Sequence, residues 1–430
     1  MQSLLNIKGK RTAMSLALVL VLSGCSEGEN KTESEQQQDP GEAQSAMSRL
    51  VVTEQNSNSI YVLDGGKDWD LMAQFSLQNA ASGLKTSPNG RYALAMQRNQ
   101  NLVEIIDSGL EAEAHGDHFH LHAEAPQLLT SQYQGIKPTH YDLGQNVAAI
   151  FFDGNAGSGE NAEFRLVKES TIANAEAVAT YRFNYAVHGT AQVLGEHVFT
   201  GIVENAANPA LPNKVLQTHL HGDHFHDVAL LPEECPALHG SAQSKTQLAF
   251  GCSDGVVHIQ IQDGNVTSTK LVNPSALAEG SRFGSILGYY EADTLLAYAS
   301  ASQQLFQIQA GQLKEVKWQQ TENEKAQLIS QSSDYLAILS TAGTLHLLSA
   351  ENNFSLYKSI SLWNELPSSA DKPNFALAED KRTGHLIVTD PINNQLIEVN
   401  PVTAEVTKHN LSFAPNLMTW VGTVEQEHQH

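Results

Sequence analysis

Two copies of one histidine-rich motif are the part of this sequence best suited to chemistry. The string HGDHFH occurs at residues 115–120 and again at residues 221–226. Side chains alternate between the two faces of a strand, so every second histidine of each copy shares a face. Neutral imidazoles with a neighbouring carboxylate are ligands that suit zinc. The motifs and their flanking histidines therefore predict metal ligands at His115, Asp117, His118, His120, His122, His219, His221, Asp223, His224 and His226.

The predicted ligands do not select a single metal. Imidazole and carboxylate suit zinc, but copper, nickel and other divalent transition metals accept the same donors. A solvated histidine-rich loop or a pH-sensing cluster is the alternative interpretation of the same residues. We expect zinc to be bound, because a six-residue string repeated within one chain is not a chance feature.

The elements that must position these residues are short β-strands. From residue 49 onward, apolar and polar residues alternate over short runs that are separated by polar turns, and no long amphipathic helix pattern occurs. A common anchor position precedes each hairpin, about 44 to 57 residues after the previous one. The seven anchors are Gly83, His140, His188, His239, Gly284, Leu328 and Phe375.

A period in the forties with short strands is typical of a β-propeller, which has one four-stranded sheet per period. We therefore predict an all-β fold, a seven-bladed β-propeller over residues 47–420, with eight blades as the alternative. The strands at residues 49–63 should close the ring with the last strands of the chain. Two β-sandwich domains would explain the strands but not the repeat.

Three consecutive anchors are histidines, and they form a second candidate metal site. Anchors on the innermost strand of a blade face or border the central channel. His140, His188 and His239 would therefore converge from adjacent blades and leave room for water or a carboxylate on the metal. The alternative is that each imidazole caps a turn. Because both motif copies lie shortly before such an anchor, we expect motifs and anchors near the same face of the disc.

Composition restricts the function classes further. The chain has 430 residues, 25 basic and 47 acidic, and a formal net charge of −22. The negative electrostatic potential of a chain with this charge repels phosphate backbones and attracts cations, so we expect no nucleic-acid partner. Only three cysteines accompany 18 histidines, which argues against a thiolate metal site.

The first residues are typical of a bacterial lipoprotein precursor. A basic segment and a short apolar run precede the sequence LSGC, which ends at Cys25. We predict a signal peptide over residues 1–24, a lipid on Cys25, an acidic disordered tether over residues 25–46 and a flexible tail over residues 421–430. Ser26 after the lipidated cysteine favours the outer membrane, facing the periplasm of a Gram-negative bacterium.

The remaining cysteines flank the His239 hairpin. In an oxidising periplasm, Cys235 and Cys252 should form a disulfide. Closing a loop of this length would contribute ~3 kcal/mol in the chain-entropy model. Zinc ligation by the same two cysteines is the competing interpretation.

Several stretches together resemble the periplasmic zinc metallochaperones of the AztD type. They are the two DHFH motifs, KPTH ending at His140, FFDG ending at Gly154, VHG around His188, CPALHG around His239 and FGCSDG around Cys252. The resemblance implies a β-propeller that binds zinc at the histidine and aspartate motifs. It also implies transfer of zinc to the periplasmic solute-binding protein of a zinc ABC importer. The lipid anchor departs from the family, whose members are soluble.

We therefore predict a monomeric, non-enzymatic zinc metallochaperone. A β-propeller scaffold lipoprotein of the outer membrane is the main alternative. Residues 219–224 also satisfy the HxHxDH string of metallo-β-lactamases, which use two zinc ions to activate a hydroxide. The first motif copy has Glu113 where that string requires its first histidine, and the helices of that fold are missing, so a hydrolase is the weaker alternative.

Overall fold

A computed structural model describes residues 46–115, 118–204, 211–332, 334–366 and 374–424. Within these ranges the chain is almost entirely β-structure, with a 3-10 turn at Arg98–Gln100 and one short helix, α1, at Glu169–Ile172. None of the helices in this part of the chain is long and apolar enough to span a membrane. The predicted signal peptide, the Cys25 lipid, residues 25–45 of the predicted tether and residues 425–430 of the predicted tail lie outside the described residues.

The strands are short and follow one another closely along the chain. In the first half they are β1 (Ala46–Glu54), β2 (Ser59–Asp64), β3 (Asp70–Ser76), β4 (Gly83–Thr86), β5 (Tyr92–Gln97), β6 (Leu102–Asp107), β7 (Leu110–His115), β8 (His118–Ala123), β9 (Gln127–Gln134), β10 (Pro138–Leu143), β11 (Ala148–Phe152), β12 (Glu163–Val167), β13 (Ala179–Arg182), β14 (Ala191–Leu194), β15 (His197–Ile202), β16 (Lys214–His221) and β17 (His224–Leu230). In the second half they are β18 (Ser241–Gln243), β19 (Gln247–Cys252), β20 (Gly255–Gln262), β21 (Asn265–Val272), β22 (Ser285–Leu287), β23 (Leu295–Ala299), β24 (Gln304–Gln309), β25 (Gln312–Val316), β26 (Ala326–Gln331), β27 (Tyr335–Ser340), β28 (Thr344–Ser349), β29 (Ser355–Ser361), β30 (Leu377–Asp380), β31 (His385–Asp390), β32 (Gln395–Val399), β33 (Val406–Asn410) and β34 (Pro415–Val424).

The described strands form eight four-stranded antiparallel sheets, which are the blades of a β-propeller. The first blade has the strand order β3-β2-β1-β34, and the second has the order β4-β5-β6-β9. Each later blade uses four consecutive strands, from β10–β13 to β30–β33. The hairpin of β7 and β8 is a separate two-stranded sheet, inserted between the last two strands of the second blade.

The prediction of seven blades is wrong, and the alternative of eight is correct. The seven anchors each lie in, or just before, the innermost strand of the second to eighth blades. The first blade has no anchor of this kind, because its innermost strand is β34 from the end of the chain. Counting anchors therefore misses one blade.

The ring is closed by pairing of the two ends of the described chain. Strand β34 runs antiparallel to β1, with Ala46 opposite Val424 and Leu50 opposite Trp420. This closure matches the predicted pairing of the first strands with the last ones. Strand β34 continues to Val424, past the predicted domain end at residue 420.

Apolar side chains from neighbouring blades fill the spaces between the sheets. One cluster joins Phe199 and Val215 of the fourth blade to Leu248 and Phe250 of the fifth. A comparable cluster lies at each of the other seven interfaces between described blades. Burying one such side chain stabilises the fold by ~1.5–3 kcal/mol. Packing between the blades therefore holds in place the strands that carry the histidines.

Candidate metal centres

The second motif copy forms the tip of the hairpin between β16 and β17, at the outer edge of the fourth blade. His221 lies opposite His224, and His219 lies opposite His226. Residues directly opposite each other share a face of the sheet, so these four imidazoles are on one side of the hairpin. The register therefore brings together four of the ligands that the sequence predicts.

His221, His224 and His226 come close enough to share one metal ion, and we call them the rim cluster. One ring nitrogen from each lies within 4.8 Å of the others, and all three side chains are exposed. In the described part of the chain, no other set of three histidine, cysteine or carboxylate side chains meets this limit. The Nε2 atoms of His224 and His226 are 3.2 Å apart.

The ring spacings of the rim cluster also suit zinc. Two imidazoles on one tetrahedral zinc, with Zn–N bonds of about 2.0–2.1 Å, have ring centres roughly 5 Å apart. The ring centres of His224 and His226 are 4.8 Å apart, and those of His221 and His224 are 5.5 Å apart. The third pair, His221 and His226, is wider at 5.9 Å, so these exposed side chains must rotate to bring all three nitrogens onto one ion.

Asp223 supports the rim cluster from the turn. Its Oδ1 lies 3.1 Å from Nδ1 of His224, and this hydrogen bond lowers the pKa of Asp223. A ring that donates Nδ1–H to a carboxylate keeps Nε2 free to bind metal. Gly222 has φ of 66°, a left-handed conformation that glycine adopts without strain and that lets the turn present Asp223.

The opposite face of the same hairpin holds it against the molecule. The Phe225 ring is 5.1 Å from the ring of Phe164 and 6.0 Å from that of Tyr181, both in the third blade. Leu220 packs against the same apolar cluster. This packing fixes which way the strands face, and the histidines are therefore directed to solvent.

The first motif copy has the same hairpin register on β7 and β8. His115 lies opposite His118, and Glu113 lies opposite His120, just as His219 lies opposite His226 in the second copy. Asp117 lies outside the described residues, as do the side chains of His115 and His118. The ring centres of His120 and His122 are 6.5 Å apart. His122 Nε2 lies 3.3 Å from the Glu113 carboxylate, which the sequence analysis did not include among the ligands.

His140, His188 and His239 lie together at the start of the innermost strands of three successive blades, and we call them the channel cluster. The Nε2 atoms of His140 and His188 are 3.3 Å apart. Ring centres are separated by 4.9 Å for His140 and His188, 5.3 Å for His188 and His239, and 6.2 Å for His140 and His239. The first two values match a shared zinc, while the third is wider, so His239 must move inward to bind with the others.

The outer nitrogens of the channel cluster are held by the protein. His188 Nδ1 lies 3.0 Å from Oδ2 of Asp153, and His239 Nδ1 donates to the carbonyl of Gly284 at 3.0 Å. These contacts leave the Nε2 atoms of both rings available. Burial is the main reason that the pKa of His140 falls to about 4, and the nearby His188 lowers it further. The imidazole is therefore neutral, as a metal ligand must be.

Asp153 supports the channel cluster, and the sequence analysis did not single it out. It is 5% exposed, and its Oδ2 accepts hydrogen bonds from Arg98 and Thr139 as well as contacting His188. Burial would raise the pKa of Asp153, but these hydrogen bonds outweigh it and the pKa is lowered. Its second oxygen, Oδ1, has no hydrogen-bond partner among the residues that the structure describes. The FFDG stretch contained the signal, since an aspartate ends a wholly apolar strand there.

The motifs and the anchors lie on opposite faces of the disc, which corrects the expectation that they share one. The channel cluster is at the ends where the innermost strands begin. Both motif copies lie between the third and fourth strands of their blades, at β6–β9 and β16–β17. In an antiparallel blade, that connection is at the other end of the strands.

The structure joins Cys235 and Cys252 through a disulfide, with the sulfur atoms 2.04 Å apart. Both cysteines are fully buried in the cluster between the fourth and fifth blades. The bond therefore fixes the segment that leads to His239. This pairing leaves neither sulfur as a thiolate ligand for zinc.

The chain is similar to known proteins in both sequence and fold. No family model matches the chain. The zinc chaperone AztD of Citrobacter koseri is 30% identical over 240 residues, which are 54% of this chain and 53% of that protein. The sequence match thus spans about half the length of each.

Solved structures share the fold over most of the chain. The crystal structure of Citrobacter koseri AztD has a TM-score of 0.73 at 19% identity and covers 89% of this chain and 100% of its own. Its apo structure gives 0.72 at 20% identity, with 89% and 99% covered. Dihydro-heme d1 dehydrogenase NirN gives 0.56 at 13% identity, with 86% and 74% covered. Sequence and fold together confirm that this chain resembles the AztD-type proteins.

Proposed function

We propose that this protein is a zinc chaperone that binds zinc through its histidine clusters and passes it to a partner. The observation that carries the proposal is the rim cluster, in which three exposed imidazoles present ring nitrogens within 4.8 Å of one another. Similarity to a protein named as a zinc chaperone supports the choice of metal. Other divalent transition metals are accepted by the same donors.

Exposure of the rim cluster suits transfer better than storage. A partner's ligand can replace one imidazole at a time, because each of the three side chains is open to solvent. The metal then passes between proteins without being released as a free ion. The negative charge of the chain, −22, favours the approach of a divalent cation over long range.

The partner in this proposal is the periplasmic solute-binding protein of a zinc ABC importer. The chain acts as a monomer, held by a lipid on Cys25 at the outer membrane and facing the periplasm. Its work is binding and transfer, without catalysis. The HxHxDH string that also suits a metallo-β-lactamase lies on the two paired strands of one propeller hairpin, where His221 and His224 are exposed to solvent.

A transfer assay tests this function. The full-length chain is loaded with one equivalent of zinc and mixed with an apo solute-binding protein in the presence of a chelator that captures free zinc. We expect the solute-binding protein to receive zinc from the chain faster than the chelator captures it. The matched control is a chain with His221, His224 and His226 replaced by alanine, which should transfer more slowly.

Two results would contradict the proposal. The chain would not be a zinc chaperone if it bound no zinc, or if all of its zinc appeared in the chelator. Hydrolysis of a β-lactam or thioester by the zinc-loaded chain would instead support the hydrolase alternative.

A further inference from the structure

A row of imidazoles extends from the rim cluster toward the interior of the fourth blade. His226 of β17 is directly opposite His219 of β16, and His219 is directly opposite His197 of β15. Cross-strand neighbours of this kind have Cβ atoms about 4.5–5.5 Å apart on the same face of the sheet. Three adjacent strands therefore each contribute one histidine to a continuous line.

The inner end of this row has the donors of a metal site. The ring centres of His197 and His219 are 5.4 Å apart, close to the roughly 5 Å expected for two imidazoles on one tetrahedral zinc. Oε2 of Glu196 lies 3.7 Å from Nε2 of His219. The Glu196 side chain is 80% exposed, so it can turn toward an ion without disturbing the blade.

A buried amide orients the inner histidine. The side-chain nitrogen, Nε2, of Gln217 lies 3.1 Å from Nδ1 of His197, and Gln217 is buried. Binding of a metal at Nε2 of His197 requires this amide to be flipped, so that its oxygen faces the ring and accepts Nδ1–H. A metal-binding histidine commonly has such a partner on its other nitrogen.

We propose that His197, His219 and Glu196 form a second divalent-cation position, which we call the inner site, beside the rim cluster. Two imidazoles and one carboxylate are a donor set that zinc uses with water as the fourth ligand. Zinc moves between the rim cluster and the inner site along the row, with His226 and His219 as neighbouring steps. This inference rests on the proposed zinc function and adds His197 and Glu196 to it.

The test is zinc titration of the full chain with metal analysis at saturation. The variant lacking the rim ligands, His221, His224 and His226 changed to alanine, should keep the inner equivalent. Adding His197→Ala to that variant should remove one further zinc per chain, and Glu196→Gln should weaken the same equivalent. Circular dichroism confirms that each variant is folded.

His258 of the fifth blade provides a control, because its imidazole also contacts a side-chain amide, that of Gln247, at 2.8 Å and is buried. His258→Ala should leave the zinc stoichiometry unchanged. The inner site is refuted if His197→Ala leaves the stoichiometry unchanged, or if removing the rim ligands removes the inner equivalent as well. Failure of the wild-type chain to bind any zinc would refute the proposed function itself.

Discussion

The channel cluster and the rim cluster present three histidines each, but their surroundings differ. In the channel cluster, His188 is oriented by the buried Asp153, and His239 by the carbonyl of Gly284. In the rim cluster, the supporting carboxylate is Asp223 on an exposed turn, whose side chain is 93% exposed. Preorganised ligands in a less solvated place favour tight binding, whereas exposed ligands favour exchange. We therefore expect the channel cluster, on one face of the propeller, to bind zinc tightly and the rim cluster, on the other face, to exchange it.

Removing a channel ligand should have the largest effect on zinc binding. His188→Ala takes away both a ligand and the contact of Asp153 Oδ2. We expect the loss to exceed the roughly 10- to 100-fold that follows from changing an outer partner of a ligand. Competition with a chelator of known affinity measures it. An affinity within tenfold of wild type at every site would show that the channel cluster binds no zinc.

Changing the support of the channel cluster should have the next largest effect. In Asp153→Asn the carboxylate that orients His188 becomes an amide, although Arg98 and Thr139 still surround it. We expect the zinc affinity of the channel cluster to fall by about 10- to 100-fold, while that of the rim cluster is unchanged. Equal losses at both affinities would mean that the two clusters are not independent.

The stability of the metal-free protein should depend on pH through His140. Burial holds the pKa of this residue at about 4 in the folded chain, while the unfolded chain has a value near 6.5. Between these values the unfolded chain binds more protons, so the free energy of unfolding falls as the pH is lowered from 6.5 to 4. His140→Gln should flatten this dependence, as measured by urea unfolding at each pH. A slope equal to that of wild type would contradict the assignment.

The smallest effect should come from the support of the rim cluster. Asp223 and His224 are both largely exposed, and exposed pairs of this kind contribute little because solvent screens them. Asp223→Asn should therefore weaken zinc binding at the rim cluster by at most about fivefold, as measured by chelator competition. A larger loss than that caused by Asp153→Asn would reverse the proposed division between the clusters.

Much of the architecture could be predicted from the sequence because it repeats. Strand alternation and a period in the forties indicated a propeller, and equivalent anchor positions indicated that His140, His188 and His239 would converge. The number of blades could not be obtained from the anchors, since β34 supplies the innermost strand of the first blade from the far end of the chain. Because the strand that completes the first blade comes from the far end of the chain, the sequence near β1 carries no anchor for that blade.

The supports of the sites were harder to predict than their ligands. Asp153 acts from another strand end 35 residues before His188, and His197 meets His219 only through the pairing of β15 with β16. Such contacts depend on strand register, which alternation alone does not give. Likewise, placing motifs and anchors on one face overlooked that strand direction reverses along the blade. Motif spacing predicts which residues can bind metal, while strand register determines which of them lie in contact.

Zinc-edge anomalous diffraction from crystals of the zinc-loaded protein tests the central claim most directly. We expect one anomalous peak among His221, His224 and His226, a second among His140, His188 and His239, and a third, from the inner site, beside His197 and His219. A zinc-loaded crystal with no peak at either cluster would contradict it.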